Sequence, residues 1–266
     1  MSQMAPVAQL LQYGISAYGL CIVLGAGLAV LYAAASGQRR GLLWEDIAVV
    51  AFCGIGFGFL GAKLLYLFTA FSPAQLWLLV RRGTFDVVLS GGFVFYGGLC
   101  LGVLGCLLGA KLTRADPGAL EDTLATALPL AHGMGRIGCF FAGCCYGIPT
   151  KSPVHVLYET AAGGAPIGIP LAPVQLMEAG LLFGLFGLLA VFGEKIPRRV
   201  FPVYLMAYAG IRLVTERYRG DAVRGMLYGV STSTWISTAV LLAGVLLLLH
   251  RIRNWKNCIR QAKSGH

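Results

Sequence analysis

Apolar residues in this chain come in blocks of about 20, the length a helix needs to cross the hydrocarbon of a bilayer. Short stretches carrying Gly, Pro, Lys and Arg separate the blocks. Inside a bilayer no water is available to satisfy backbone N–H and C=O groups, so blocks of this kind fold as helices that bond to themselves. The totals agree: of 266 residues, 57% are hydrophobic and 12% charged, and the mean hydropathy is +0.75. A soluble domain of this size needs far more charge to coat its surface, so that class is excluded.

Seven spans can be drawn, at roughly 14–36, 47–70, 92–112, 121–143, 172–193, 200–218 and 229–250. They predict an all-α integral membrane protein of about seven transmembrane helices. The fourth and sixth carry polar residues and arginine, and the cost of charge in a membrane makes them the expected functional helices. The N-terminus lacks the basic start of a signal peptide, so Tyr13 to Ala35 reads as a retained first helix.

The net charge of +10 raises nucleic acid as a partner. Its placement argues against that, because Lys and Arg sit in short clusters between apolar blocks, without interleaved stacking aromatics. One set of alternate loops holds 12 of the 21 basic residues and the other holds 6, the remaining three being Lys63, Arg136 and Arg212 within spans. That asymmetry predicts an outside N-terminus and a cytoplasmic C-terminus, with the basic loops meeting anionic lipid. Two outward segments are long: about 71–91, with Trp77 and the Arg81–Arg82 pair, reads as an amphipathic arm. The other, about 147–170, holds Lys151, His155, Tyr158 and Glu159 and reads as a small cap. No repeat or linker divides 1–266, so a single domain is expected.

Glycines run along the second span (Gly54, Gly56, Gly58, Gly61) and the third (Gly97, Gly98, Gly102, Gly105). Close helix packing through small faces accounts for them; bending at Gly91–Gly92 and Gly97–Gly98 around a ligand is the other reading. The densest stretch is His132-Gly-Met-Gly-Arg-Ile-Gly-Cys-Phe-Phe-Ala-Gly-Cys-Cys-Tyr-Gly147. Arg136 there is costly unless it meets an anion, a carboxylate or water. Its guanidinium can hold a phosphate through two parallel bonds, with glycines letting the phosphate near the backbone. A structural pair with Glu178 is the equal alternative. Arg212 and Glu216 are four apart and share a helix face, and Arg219 lies two turns on from Arg212. Gln175 and Glu178 open the fifth span.

Most of the eight cysteines lie in apolar blocks, where cysteine acts as a small hydrophobe. The spacing of Cys139, Cys144 and Cys145 fits no standard zinc pattern, even with His132 added, and no metal or cofactor is expected. A structural disulfide on the outward side, formed elsewhere, is the more ordinary use of the cysteines.

Six short stretches, in order, resemble the prolipoprotein diacylglyceryl transferase family. Tyr18-Gly19 is similar to its first-helix Tyr-Gly, and Gly61-Ala-Lys-Leu64 to a Gly-Ala-Arg-Leu segment. Gly91-Gly-Phe-Val-Phe-Tyr-Gly-Gly-Leu99 resembles a motif ending His-Gly-Gly-Leu. Gly135 to Cys144 resembles Gly-Arg-x-Gly-Asn-Phe-x-Asn-x-Glu, and Pro173 to Glu178 resembles Pro-Thr-Gln-Leu-Tyr-Glu. Arg212 to Glu216, with Arg219, resembles Arg-Phe-x-x-Glu-x-x-Arg.

The resemblance implies a transferase of the bacterial inner membrane that moves the diacylglyceryl group of phosphatidylglycerol to a lipoprotein lipobox cysteine. It places Arg136, Arg212, Glu216 and Tyr96 at catalytic positions. Tyr18, Gly98, Gly135, Gly138, Cys139, Gln175, Glu178 and Arg219 fall at substrate-binding ones. The chain departs from the family at its histidine (Tyr96), both signature asparagines (Cys139, Ala142) and the signature glutamate (Cys144). With an ordinary pKa of about 10, a tyrosine is a poor base near neutral pH. The pattern is that of a divergent member with the phosphate-holding arginines retained. A different acceptor for the same lipid, or lipid binding and transport without turnover, are the competing functions.

Overall fold

The computed structural model describes residues 17–83, 92, 94–221 and 225–264 and is largely helical. Helix α1 spans Ala17–Gln38, α2 Trp44–Ala70, α3 Pro73–Arg81, α4 Phe95–Leu112 and α5 Pro117–Ala142. Then come α6 at Val174–Phe192, a 3₁₀ turn at Gly193–Lys195, α7 at Val200–Glu216 and α8 at Thr232–Ser264. Among the described residues, four stretches are long and apolar enough to cross a membrane: Ala17–Gln38, Trp44–Ala70, Val174–Lys195 and Thr232–Asn254. Two short strands, Met226–Leu227 and Val230–Ser231, pair antiparallel ahead of α8. Residues 13–16 of the expected first helix and 84–91 of the expected arm lie outside the described residues. The described part of the arm is α3, with the Arg81 guanidinium 4.7 Å from the centre of the Trp77 ring.

Helix starts follow local chemistry. Asp116 accepts a hydrogen bond from the Ala119 amide at 2.8 Å, with Pro117 at the first helical position of α5. Ser72 and Gln75 cap α3 reciprocally: the Ser72 amide donates to Gln75 Oε1 at 2.8 Å, and the Gln75 amide donates to Ser72 Oγ at 3.3 Å. The hairpin turn uses Tyr228 at φ 53° and Gly229 at φ 75°, the left-handed pair that a two-residue turn requires.

The helices form two compact units, Met1–Ala33 with Glu121–His266, and Ala34–Leu120. In the second, α2 and α4 cross through their glycines. A Cβ on Gly61 would strike the Gly97 carbonyl oxygen, and one on Gly97 would strike that of Gly61. Gly58 and Gly98 repeat the contact, since a Cβ on Gly98 would lie 3.1 Å from the Gly58 oxygen. These glycines bring backbones together, as small residues do in lipid, where apolar burial gives no preference for one helix neighbour over another.

In the first unit, Ala125, Leu185, Leu189, Val200 and Tyr204 form a buried core shared by α5, α6 and α7. Buried Asp122 on α5 accepts from the amides of Arg198 and Val200, the latter at 3.1 Å, and so caps α7. Arg251 on α8 holds Glu121 through two contacts of 2.8 and 2.6 Å.

Gly61→Ala is expected to lower stability by about 1–3 kcal/mol, the cost of overpacking a tight contact. Thermal unfolding of the purified protein in detergent checks this, and an unchanged midpoint would contradict the reciprocal crossing.

Candidate functional site

Three helices of the first unit each bring charge to one place. Arg136 lies near the end of α5, Glu178 early on α6, and Arg212 and Glu216 one turn apart on α7. Arg136 Nε is 3.1 Å from Glu178 Oε1, and Arg212 Nη1 is 3.9 Å from Glu178 Oε2. Arg212 Nη2 is 2.9 Å from Glu216 Oε2. Glu178 is 1% exposed, so a single buried carboxylate sits against both guanidinium groups.

Proximity and alignment differ here. Arg136 Nε and Glu178 Oε1 are close enough for an ion pair, yet neither makes an aligned hydrogen bond, and the same holds for Arg212 Nη1. These are Coulomb contacts and not hydrogen bonds. A guanidinium carries five N–H donors, more than one shared carboxylate can accept. The two arginines and two glutamates also balance in formal charge, which lets the cluster be buried at all.

Tyr208, one turn before Arg212, interacts with Arg136 and packs against His132 with ring centres 5.0 Å apart and planes tilted by 57°. Sequence reasoning missed it. The signal was there: 208, 212 and 216 repeat at the four-residue spacing of one helix face.

The glycines around Arg136 serve packing. A Cβ on Gly138 would lie 3.1 Å from Tyr18 Cδ2 and 3.2 Å from Cys21 Cβ, so α1 presses Tyr18 against this point of α5. Gly135 faces Ile22 at an ordinary 3.6 Å. Tyr18 itself is 43% exposed.

Beyond α5 the chain turns sharply at Gly143 (φ 68°) and Cys145 (φ 55°). Gln175, expected beside substrate, is buried and donates to the Cys144 carbonyl at 2.9 Å and to the Tyr158 hydroxyl at 3.2 Å. Tyr158 in turn donates to the Phe140 carbonyl at 3.2 Å, and burial pushes its pKa up to about 12. The loop expected as a cap therefore packs onto this turn around Tyr158, Ala165 and Leu171.

Arg219 does not continue the face of Arg212, because α7 ends at Glu216. It sits in the following turn, bridged to Gly147, and grips Asp221 through contacts of 2.9 and 2.6 Å. Burial is the largest single influence and opposes its charge, but the Asp221 hydrogen bond together with the nearby negative charges of Cys145, Asp221 and Glu178 raises its pKa.

The sulfurs of Cys139, Cys144 and Cys145 all lie within 4.8 Å of one another, because the turn folds back what linear spacing keeps apart. Hydrogen bonds from Cys139 and Cys144, with the charges of Arg219 and Arg136, hold the Cys145 thiol below its ordinary pKa against the effect of burial. All seven described cysteines are free, so the expected disulfide is not formed among them; the Cys258 side chain lies outside the described residues. Tyr96 and Gly98 belong to α4 in the other unit, where Tyr96 is 49% exposed and Gly98 packs against Gly58 and Ala62.

The chain was compared with known proteins. The family described as prolipoprotein diacylglyceryl transferase matches residues 6–250. A phosphatidylglycerol–prolipoprotein diacylglyceryl transferase of Clostridium tetani is 34% identical over 232 residues, covering 86% of this chain and 90% of the relative. A second so named, from Clostridium perfringens, is 34% identical over 236 residues, with 88% and 90% covered. One from Bordetella parapertussis is 31% identical over 247 residues, with 89% and 90% covered.

Glu178→Gln removes the shared carboxylate and leaves two cations facing each other. It is expected to cost about 3–5 kcal/mol of stability, as breaking a buried pair does. A thermal midpoint equal to wild type would remove Glu178 from the centre of the cluster.

Proposed function

This chain belongs to the prolipoprotein diacylglyceryl transferase family, and from that premise we propose that it moves diacylglyceryl from phosphatidylglycerol to the cysteine thiol of a lipoprotein precursor. The observation that carries this reading is the convergence of Arg136 and Arg212 on one buried carboxylate, with donors left over for a phosphate.

In the reaction a bond forms between the acceptor sulfur and the glyceryl carbon, and the bond from that carbon to the phosphate oxygen breaks. The acceptor thiol gives up its proton, which balances on the released phosphate monoester, and glycerol phosphate leaves. The leaving group gains negative charge as the bond breaks, so guanidinium groups fixed beside it stabilise the transition state more than the ground state. Arg136 and Arg212 take that task, with Glu216 orienting Arg212. Glu178 holds both cations in place before lipid arrives, so little reorganisation is left for the reaction itself.

Seven helices would cross the bacterial inner membrane as one domain, with the N-terminus outside, the C-terminus cytoplasmic, and segments 71–91 and 147–170 facing outward. The 12-to-6 asymmetry of basic residues supports this orientation. Both boundaries between the compact units fall within helices, α1 and α5, instead of linkers, which supports a single working domain.

Purified protein incubated with labelled phosphatidylglycerol and a lipobox peptide tests the proposal. Wild type should label the peptide and release glycerol phosphate. Arg136→Ala should reduce both at least about a thousandfold, the upper range for losing one donor to a developing charge. Arg136→Lys keeps the charge but not the fork, so it should recover little. Glycerol phosphate release without peptide labelling would point to another acceptor. Near wild-type turnover in Arg136→Ala would sink the assignment.

A further inference from the structure

The family resemblance gives Cys144 and Cys145 no task and sets Cys139 at a substrate-binding position, and the arrangement of the three is unusual for residues that only fill space. Adjacent side chains in an extended chain point to opposite sides. Here Cys144 and Cys145 both reach Cys139, because Cys145 adopts φ 55°, a left-handed conformation that a non-glycine residue takes only under constraint.

The constraint is visible on several sides. Gln175 donates to the Cys144 carbonyl at 2.9 Å, the Gly163 amide to Ala142 at 2.7 Å, the Ala165 amide to Gly143 at 3.0 Å, and the Gly220 amide to Tyr146 at 3.0 Å. Gly163 packs so closely on Cys144 that a Cβ there would lie 2.5 Å from the Cys144 Cβ. The thiols contribute little to holding this shape, since S–H is a weak donor and sulfur a weak acceptor. The turn is therefore set by its backbone, and the sulfurs are presented by it.

We propose that Cys139, Cys144 and Cys145 form a three-thiolate site for a thiophilic divalent cation of the zinc type. Metal–sulfur bonds of about 2.3 Å in a tetrahedron put sulfurs about 3.8 Å apart, so sulfurs already within 4.8 Å need to close by only about 1 Å. Three soft thiolates select zinc-like cations over magnesium or calcium. Three ligands also leave one coordination position for water. Binding releases thiol protons and leaves the site with one net negative charge. The C-x4-C-C spacing conceals this site because the chain doubles back at Gly143 and Cys145.

The full-length protein, purified in detergent under reducing conditions and stripped with chelator, is titrated with Zn2+ alone. About one ion per chain is expected in wild type. Cys145→Ser, and the triple serine variant, should bind Zn2+ at least about 100-fold more weakly, beyond the loss typical for an outer-shell partner. Cys21→Ser should bind as wild type does. Should the triple variant fail to fold, alkylation of the wild type decides: Zn2+ should protect Cys139, Cys144 and Cys145 while exposed Cys100 still reacts. Equal zinc content in wild type and the folded triple variant overturns the proposal, as does alkylation unaffected by Zn2+. A disulfide among the three that forms in air, with no zinc uptake once it is reduced, also overturns it. These readings involve no turnover, so they stand apart from the transferase proposal.

Discussion

The contact of Glu178 with Arg136 and Arg212 decides what the surrounding helices must do. Charge buried in a helical membrane protein is tolerated only when it is paired, and a pair needs its partners on different helices brought to within a few ångströms. Here α5, α6 and α7 each supply a member, so none can slide or rotate without exposing a charge to hydrocarbon. Asp122 capping α7 and Arg251 gripping Glu121 act far from this cluster along the same helices and fix their relative register from another point. Gly138 then lets α1 approach α5 closely enough to place Tyr18 beside the motif that carries Arg136.

The same cluster explains how a stable arrangement can also be a reactive one. Two arginines and two glutamates cancel in formal charge, so the lipid-free protein does not strand a cation. Yet the geometry at Glu178 leaves guanidinium donors close to carboxylate oxygens without aligned bonds. A phosphate entering such a site gains hydrogen bonds that the protein has not made with itself. That is the physical content of the proposal that Arg136 and Arg212 receive a phospholipid headgroup and the charge that grows on it.

Three of the four departures from the family pattern, Cys139, Ala142 and Cys144, lie at the end of α5 and in the turn after it. Cys139 and Cys144 stand where the family has asparagine and glutamate, and Cys145 lies beside them in a turn fastened by Gln175, Gly163 and Gly220. Arg219, expected as an extension of the α7 face, is committed to Asp221 and to a single β-bridge with Gly147. The buried arginine cluster and this sulfur-lined turn are thus joined through α5, whose last turn carries Cys139 three residues after Arg136.

The apolar blocks alone determined that this chain is a helical membrane protein, because backbone groups in hydrocarbon must bond within their own segment. Helix positions followed closely from the same blocks, and Arg136, Arg212, Glu216 and Glu178 stood out because a charge inside a block is expensive. What remained open was which partner each charge takes: Glu178 was one of two equal alternatives for Arg136, and Tyr208 went unnoticed despite its spacing. The glycines near Arg136 suggested room for phosphate, whereas Gly138 accommodates Tyr18. The cysteine spacing argued against a shared site, whereas a left-handed residue at Cys145 brings three sulfurs together. Only the tertiary structure decided these points, since hydropathy and spacing report the environment of one segment, and pairing depends on which face of another helix it meets.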